Sequence, residues 1–162
     1  MNNNIDEIKQ SIDSINFTAL IEKLVNYDGW LRKDALLTCE QYRKFLYLHA
    51  KYKNQSFPPS EDIDEFWHNH ILDTKNYAKD CQVFFGEYLH HNPHLDAESL
   101  LELNDAFEKT KEMYFKEFGE EIVATKSLYP RPIYFVLRLL EKLKDLNLNR
   151  KLKKKLIVNS RI

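Results

Sequence analysis

From Asn4 to Tyr27 the apolar residues fall at Ile5, Ile8, Ile12 and Ile15, then at Phe17, Leu20, Ile21, Leu24 and Val25. That is helical spacing with a break around Ser14-Ile15-Asn16-Phe17. Asp28-Gly29-Trp30 ends the pattern, with Gly29 suited to a left-handed cap position. Thr38-Cys39-Glu40-Gln41 matches a capping box, so a helix is expected from Thr38 to about Tyr52. Its apolar stripe is Tyr42, Phe45, Leu46, His49 and Tyr52. Lys53 to Pro59 reads as a loop, because Pro58-Pro59 removes two backbone donors and forces extended geometry before it.

Ser60 is placed to cap a third helix, and Glu61, Asp62, Asp64 and Glu65 load its start with the negative charge the helix dipole favours. This helix is expected to run to about Phe85, where Gly86 or Asn92-Pro93 breaks the pattern. Asp96 caps a fourth helix reaching Phe118, with Gly119 as its stop. Pro130 and Pro132 bracket the entry to a fifth, from Ile133 to about Leu146. The expected architecture is all-α: one domain of about five helices in an irregular orthogonal bundle, with the 60–85 helix central.

Composition supports one domain and argues against β architecture. The chain has 162 residues, enough for a single core, while three glycines and five prolines leave little turn chemistry for a sandwich or barrel. The start, Met1-Asn2-Asn3-Asn4-Ile5-Asp6, has neither the basic nor the apolar region of a signal peptide, and no apolar run approaches the ~20 residues needed to span a bilayer. A cytoplasmic location is expected. Cys39 and Cys81 sit singly inside helical patterns and read as buried thiols or, alternatively, as a disulfide.

The net charge of −1 hides a division. Residues 1–130 hold 14 Lys/Arg against 23 Asp/Glu, or −9, and residues 131–162 hold 10 against 2, or +8. The first stretch is an acidic helical body. The second is a basic amphipathic helix or tail, with Arg150, Lys151, Lys153, Lys154 and Lys155 among its leucines. Such a segment suits an anionic membrane, nucleic acid or an acidic partner. It equally suits docking on its own acidic body, and that is the preferred expectation.

Candidate chemistry concentrates in the histidines, five of the six lying between His68 and His94. Phe66-Trp67-His68-Asn69-His70-Ile71-Leu72-Asp73-Thr74 puts two of them with an indole and a carboxylate on one expected helix. At about 100° per residue, positions two apart fall on nearly opposite faces. His70 then shares the apolar face with Ile63, Trp67, Thr74, Tyr77 and Cys81, whereas His68 goes with Asp64, Lys75 and Lys79 toward solvent. Asp73 lies close enough in phase to pair with His70, and Glu65 with His68. Cys81 is about 16 Å along the axis from His70 and shares no ion with it unless the helix breaks.

His49 points inward from the preceding helix, and His90-His91 can close a site from the turn that follows. Imidazoles with one carboxylate suit a divalent transition metal such as zinc, iron, copper or nickel. The candidate cluster is therefore His70, Asp73, His90, His91 and His49, supported from behind by Trp67, His68, Glu65, Thr74 and Tyr77. The blander reading makes His70 and His49 satisfied core histidines and Trp67 a core anchor. H-x-H alone is a weak motif.

Trp67-His68-x-His70-x-x-Asp73-Thr74-x-x-Tyr77-x-x-x-Cys81, followed by Gly86 and His90-His91-x-Pro93, resembles the glycine-rich domain-containing protein-like family. Tyr42-Arg43-Lys44-Phe45-Leu46 and Pro59-Ser60 are similar to its lead-in, so the resemblance spans about residues 38–94. It implies a domain of unknown function, found in short bacterial proteins and at the front of long plant ones, with polar positions at Trp67, His68, His70, Asp73, His90 and His91. The glycine-rich tails of the plant relatives have no counterpart in this chain.

Two functions are weighed. One is an interaction or scaffold module built around the His/Trp cluster, with a protein partner or a second copy. The other is a metal-dependent enzyme or metal-binding protein using His70, Asp73 and His90 or His91, with His68 or Glu65 either supporting the ligands or acting as general base.

Overall fold

Ten of the twenty residues from Arg32 to Lys51 are buried, so this helix is covered on more than one face and the others gather around it. The computed structural model describes residues 5–53, 55–91 and 97–125, together with Leu140 and Lys144. Within these the chain is all-helical: α1 (Ile5–Asp13), α2 (Thr18–Lys23), a π-helical turn (Leu24–Asp28), α3 (Arg32–Lys51), α4 (Glu61–Leu72), α5 (Thr74–Phe84) and α6 (Ala97–Phe118). The expected all-α bundle of about five helices is present, with six α-helices among the described residues. No helix among the described residues is long and apolar enough to cross a membrane. The basic stretch 131–162, with Arg150, Lys151, Lys153, Lys154 and Lys155, lies outside the described residues apart from Leu140 and Lys144.

The N-terminal break falls where the periodicity lapses. α1 ends at Asp13, and the Arg43 guanidinium donates to the carbonyls of Ile12 and, at 2.7 Å, Ile15, satisfying acceptors a helix end leaves open. The same guanidinium stands 4.9 Å from the Phe17 ring centre, tying the α1–α2 turn to α3. The π-helical turn closes on Gly29 at φ 88, a left-handed value that favours glycine.

α3 starts six residues earlier than its capping-box motif predicts. Leu31, extended and 1 % exposed, precedes the first turn, and the fully buried Trp30 anchors the entry. Thr38 is instead interior to the helix, its hydroxyl 3.1 Å from that of Thr125. Hydrophobic anchoring therefore outweighs a local cap worth about 1 kcal/mol.

α4 begins as expected, with the Ser60 hydroxyl accepting from the Ile63 N–H at 3.3 Å. It stops at Leu72, so the 60–85 helix is two helices meeting at Asp73. α6 ends at Gly119, φ 67, and residues 120–125 return across α3. The Gln41 amide grips both backbone groups of Val123, donating to its carbonyl at 3.0 Å and accepting from its N–H at 2.7 Å. Thr125 donates to the Asp62 carboxylate through its N–H at 2.5 Å and its hydroxyl at 2.8 Å. Helix start, helix middle and strap are thus fastened by polar groups that are themselves buried.

Candidate functional site

The corner at Asp73 organises the site. The Asp73 N–H bonds the His70 carbonyl at 3.1 Å, closing a tight turn, and the chain re-enters a helix at Thr74. Two side-chain bonds span the corner at the same separation of ten residues, Trp67 to Tyr77 and His70 to Asp80. Ten residues of straight helix rise about 15 Å, so neither bond forms without the corner.

The first of these bonds leads to a cluster on the outer side of α4. The Trp67 indole donates to the Tyr77 hydroxyl at 2.8 Å, and that hydroxyl donates to the Leu89 carbonyl at 2.6 Å. Fixing Leu89 delivers His91 to α4, where its ring lies 4.7 Å from that of Trp67 and 4.3 Å from that of His68. His91 Nε2 donates to Asp64 Oδ1 at 2.7 Å. His68, one turn on from Asp64, donates from Nδ1 to its carbonyl at 2.8 Å and lies 3.3 Å from its Oδ2. One ligand atom from each of Asp64, His68 and His91 falls within 4.8 Å of the other two, the set open to solvent through a half-exposed His68.

The second bond leads to the inner side of the corner. His70, 3 % exposed, sits edge-on to Phe17 at 5.0 Å and to Tyr77 at 4.9 Å. Its Nε2 donates to Asp80 Oδ2 at 3.2 Å, and in that tautomer its Nδ1, 3.0 Å from the Tyr42 oxygen, accepts a hydrogen bond from the hydroxyl. Burial holds the imidazole pKa below its usual value, against the opposing pull of Asp80. Burial also holds the Tyr42 hydroxyl firmly protonated. The relay borders a cavity of about 450 Å³ between the α1–α2 turn and α5, also lined by Asp73, Asn76 and Lys79.

The structure therefore divides the expected cluster. His70 and Asp73 face one cavity, His91 joins Asp64 and His68 elsewhere, and His90 is exposed beside the Tyr88 ring. His49 donates from Nε2 to the Phe57 carbonyl at 3.2 Å, among Phe45, Phe57 and Trp67; burial lowers its pKa to about 4. Glu65 accepts from the Trp30 indole at 2.9 Å, and Thr74 is exposed at the start of α5. Trp67 and Tyr77 support the outer cluster as a bonded pair, whereas His68 is one of its three converging groups.

Sequence reasoning put Asp64 on the His68 side without counting it among the ligands, and it passed over Asp80. Asp64 carried a signal in its i, i+4 spacing from His68, which places both on one face. Asp80 carried none, since only the corner brings it to His70. Cys39 and Cys81 are both buried free thiols, and burial raises the Cys39 pKa to about 11, so neither offers a thiolate.

The family model that matches this chain is UCP032817-like, over residues 7–149, and the chain belongs to that family. This corrects the resemblance to the glycine-rich domain-containing protein-like family, which nothing in the comparisons supports. Of the residues that carried it, Trp67, His70, Tyr77 and Cys81 are buried at the corner. No curated protein and no solved structure matches the chain.

Proposed function

We propose that this member of the UCP032817-like family is a divalent transition-metal-binding helical domain, with Asp64, His68 and His91 as its ligands. The observation that carries this reading is the convergence of one carboxylate and two imidazoles within 4.8 Å. Two nitrogens and one oxygen form a borderline donor set suited to zinc, iron, nickel or copper. The i, i+4 pair on α4 supplies a rigid half of the site, and the 85–91 segment supplies the rest. Trp67 and Tyr77 act from behind, the indole packing at a tilt against His91 and the Tyr77 hydroxyl pinning Leu89. Three protein ligands leave a coordination position for water or substrate, which suits a site for hydrolysis better than a sealed structural one.

The interaction-module reading applies best to the other histidines. His49 is bonded to a backbone carbonyl among aromatic rings, and His70 is buried with both nitrogens bonded, to Tyr42 and Asp80. A cytoplasmic location belongs to the same proposal and is supported by two buried free thiols. So does the basic 131–162 arm as a contact for an acidic surface, its own body included, with anionic membrane or nucleic acid as the alternatives.

Elemental analysis of the full chain, purified untagged and reconstituted with zinc, tests the site. One equivalent of metal is expected, lost in His68→Ala and His91→Ala and retained in His70→Ala. Absence of stoichiometric zinc in the folded wild-type protein overturns the proposal, and so does retention in both ligand variants.

A further inference from the structure

The cavity between the α1–α2 turn and α5 shares no residue with the proposed metal ligands, and its volume of about 450 Å³ falls in the range of small-molecule sites. Its inner wall carries the Asp80 carboxylate, whose side chain is 21 % exposed. Among the described residues its hydrogen bonding is confined to His70 Nε2. Burial favours the neutral form of that imidazole, so its bond to Asp80 brings no full positive charge to the carboxylate. A partly desolvated carboxylate in this position favours a cation.

The rest of the lining completes the requirement. Asp73 adds a second carboxylate at the cavity, and Lys79 is the one cationic side chain lining it among the described residues, so these walls are net negative. Phe17, Leu20 and Val83 offer an apolar surface alongside, with Val83 half exposed. A bare metal ion does not use that surface, and an anion meets two carboxylates against one ammonium. We propose that this cavity binds a small organic ammonium compound, its cation on Asp80 and its apolar portion against Phe17, Leu20 and Val83. The His70–Tyr42 relay orients the carboxylate, so His70 is a positioning residue there.

Calorimetric titration of the full chain with phenethylamine and with 3-phenylpropionate, matched in ring and chain length but opposite in charge, tests the inference. Saturable binding of the amine and none of the carboxylate is expected. Asp80→Asn is expected to weaken the amine about tenfold or more, the worth of a charge-assisted bond. Because Asp80→Asn also alters a partner of His70, Val83→Arg is the second variant: it places a competing cation at a surface position and abolishes binding while leaving the helical circular dichroism intact. Preference for the carboxylate overturns the proposal. Failure of phenethylamine to bind at millimolar concentration does so too, as does binding that survives both substitutions.

Discussion

The indole of Trp67 and the hydroxyl of Tyr77 are hydrogen-bonded at 2.8 Å across a chain corner, and the same hydroxyl holds the Leu89 carbonyl. Both ring systems are buried, so neither partner turns to water if the bond is lost. Tyr77→Phe leaves the indole N–H and a carbonyl unpaired and is expected to cost about 1–3 kcal/mol. Urea unfolding should show a lower midpoint at unchanged slope. Because Leu89 positions His91, zinc affinity should fall by about tenfold as well. An unchanged affinity with a lowered midpoint would confine Tyr77 to the core.

His49 makes stability depend on pH. Its imidazole titrates near 4 when folded against 6.5 in the open chain, because burial disfavours the charged ring. Between those values the unfolded chain binds the extra proton, so stability is fully present above about pH 6.5 and falls as pH drops toward 4. The shift corresponds to about 3 kcal/mol. His49→Leu removes the titration while keeping an apolar side chain, and its unfolding free energy should fall less steeply over this window. Parallel pH profiles for the two proteins would refute the assignment.

Helix content was legible in the sequence because the apolar residues recur at helical spacing. The Ser60 cap and the glycine stops at Gly29 and Gly119 were legible because they depend only on adjacent residues. The corner at Asp73 was not, since no proline or glycine marks it and the apolar pattern runs on through Tyr77 and Cys81. With the corner unseen, phase arguments carried from α4 into α5 lost their meaning, and Asp80 could not be placed beside His70. The split between His70 and His91 has the same origin. Helix phase correctly sent His68 outward, but it took a segment fixed by Tyr77 to make the outward side a meeting point.

Gln41 is the fastening of the returning strap. Its amide uses both ends on the Val123 backbone, a pairing that no other side chain reproduces at that position. Gln41→Ala is expected to destabilise the protein by about 1–3 kcal/mol, the cost of two part-buried backbone groups losing their partner. The effect should also be local. Hydrogen exchange at the Val123 amide should accelerate more than exchange in α4, because a strap opens without the helices. Uniform acceleration across both would show that residues 120–125 unfold only with the whole.

Asp64→Asn separates metal binding from folding. The amide oxygen it introduces still accepts from His91 Nε2, so the metal-free cluster keeps its strongest bond, 2.7 Å in the parent protein. In chelator the variant should match the parent to within about 0.5 kcal/mol, as most surface substitutions do. With zinc the two should diverge. A ligand present at about a hundred times its dissociation constant stabilises by about 2.7 kcal/mol, and the variant, lacking the anionic donor, should gain little of it. Melting curves with and without zinc read this directly. Equal zinc-dependent stabilisation in both proteins would place the metal elsewhere, and equal indifference would leave Asp64, His68 and His91 as a hydrogen-bonded latch holding the 85–91 segment to α4.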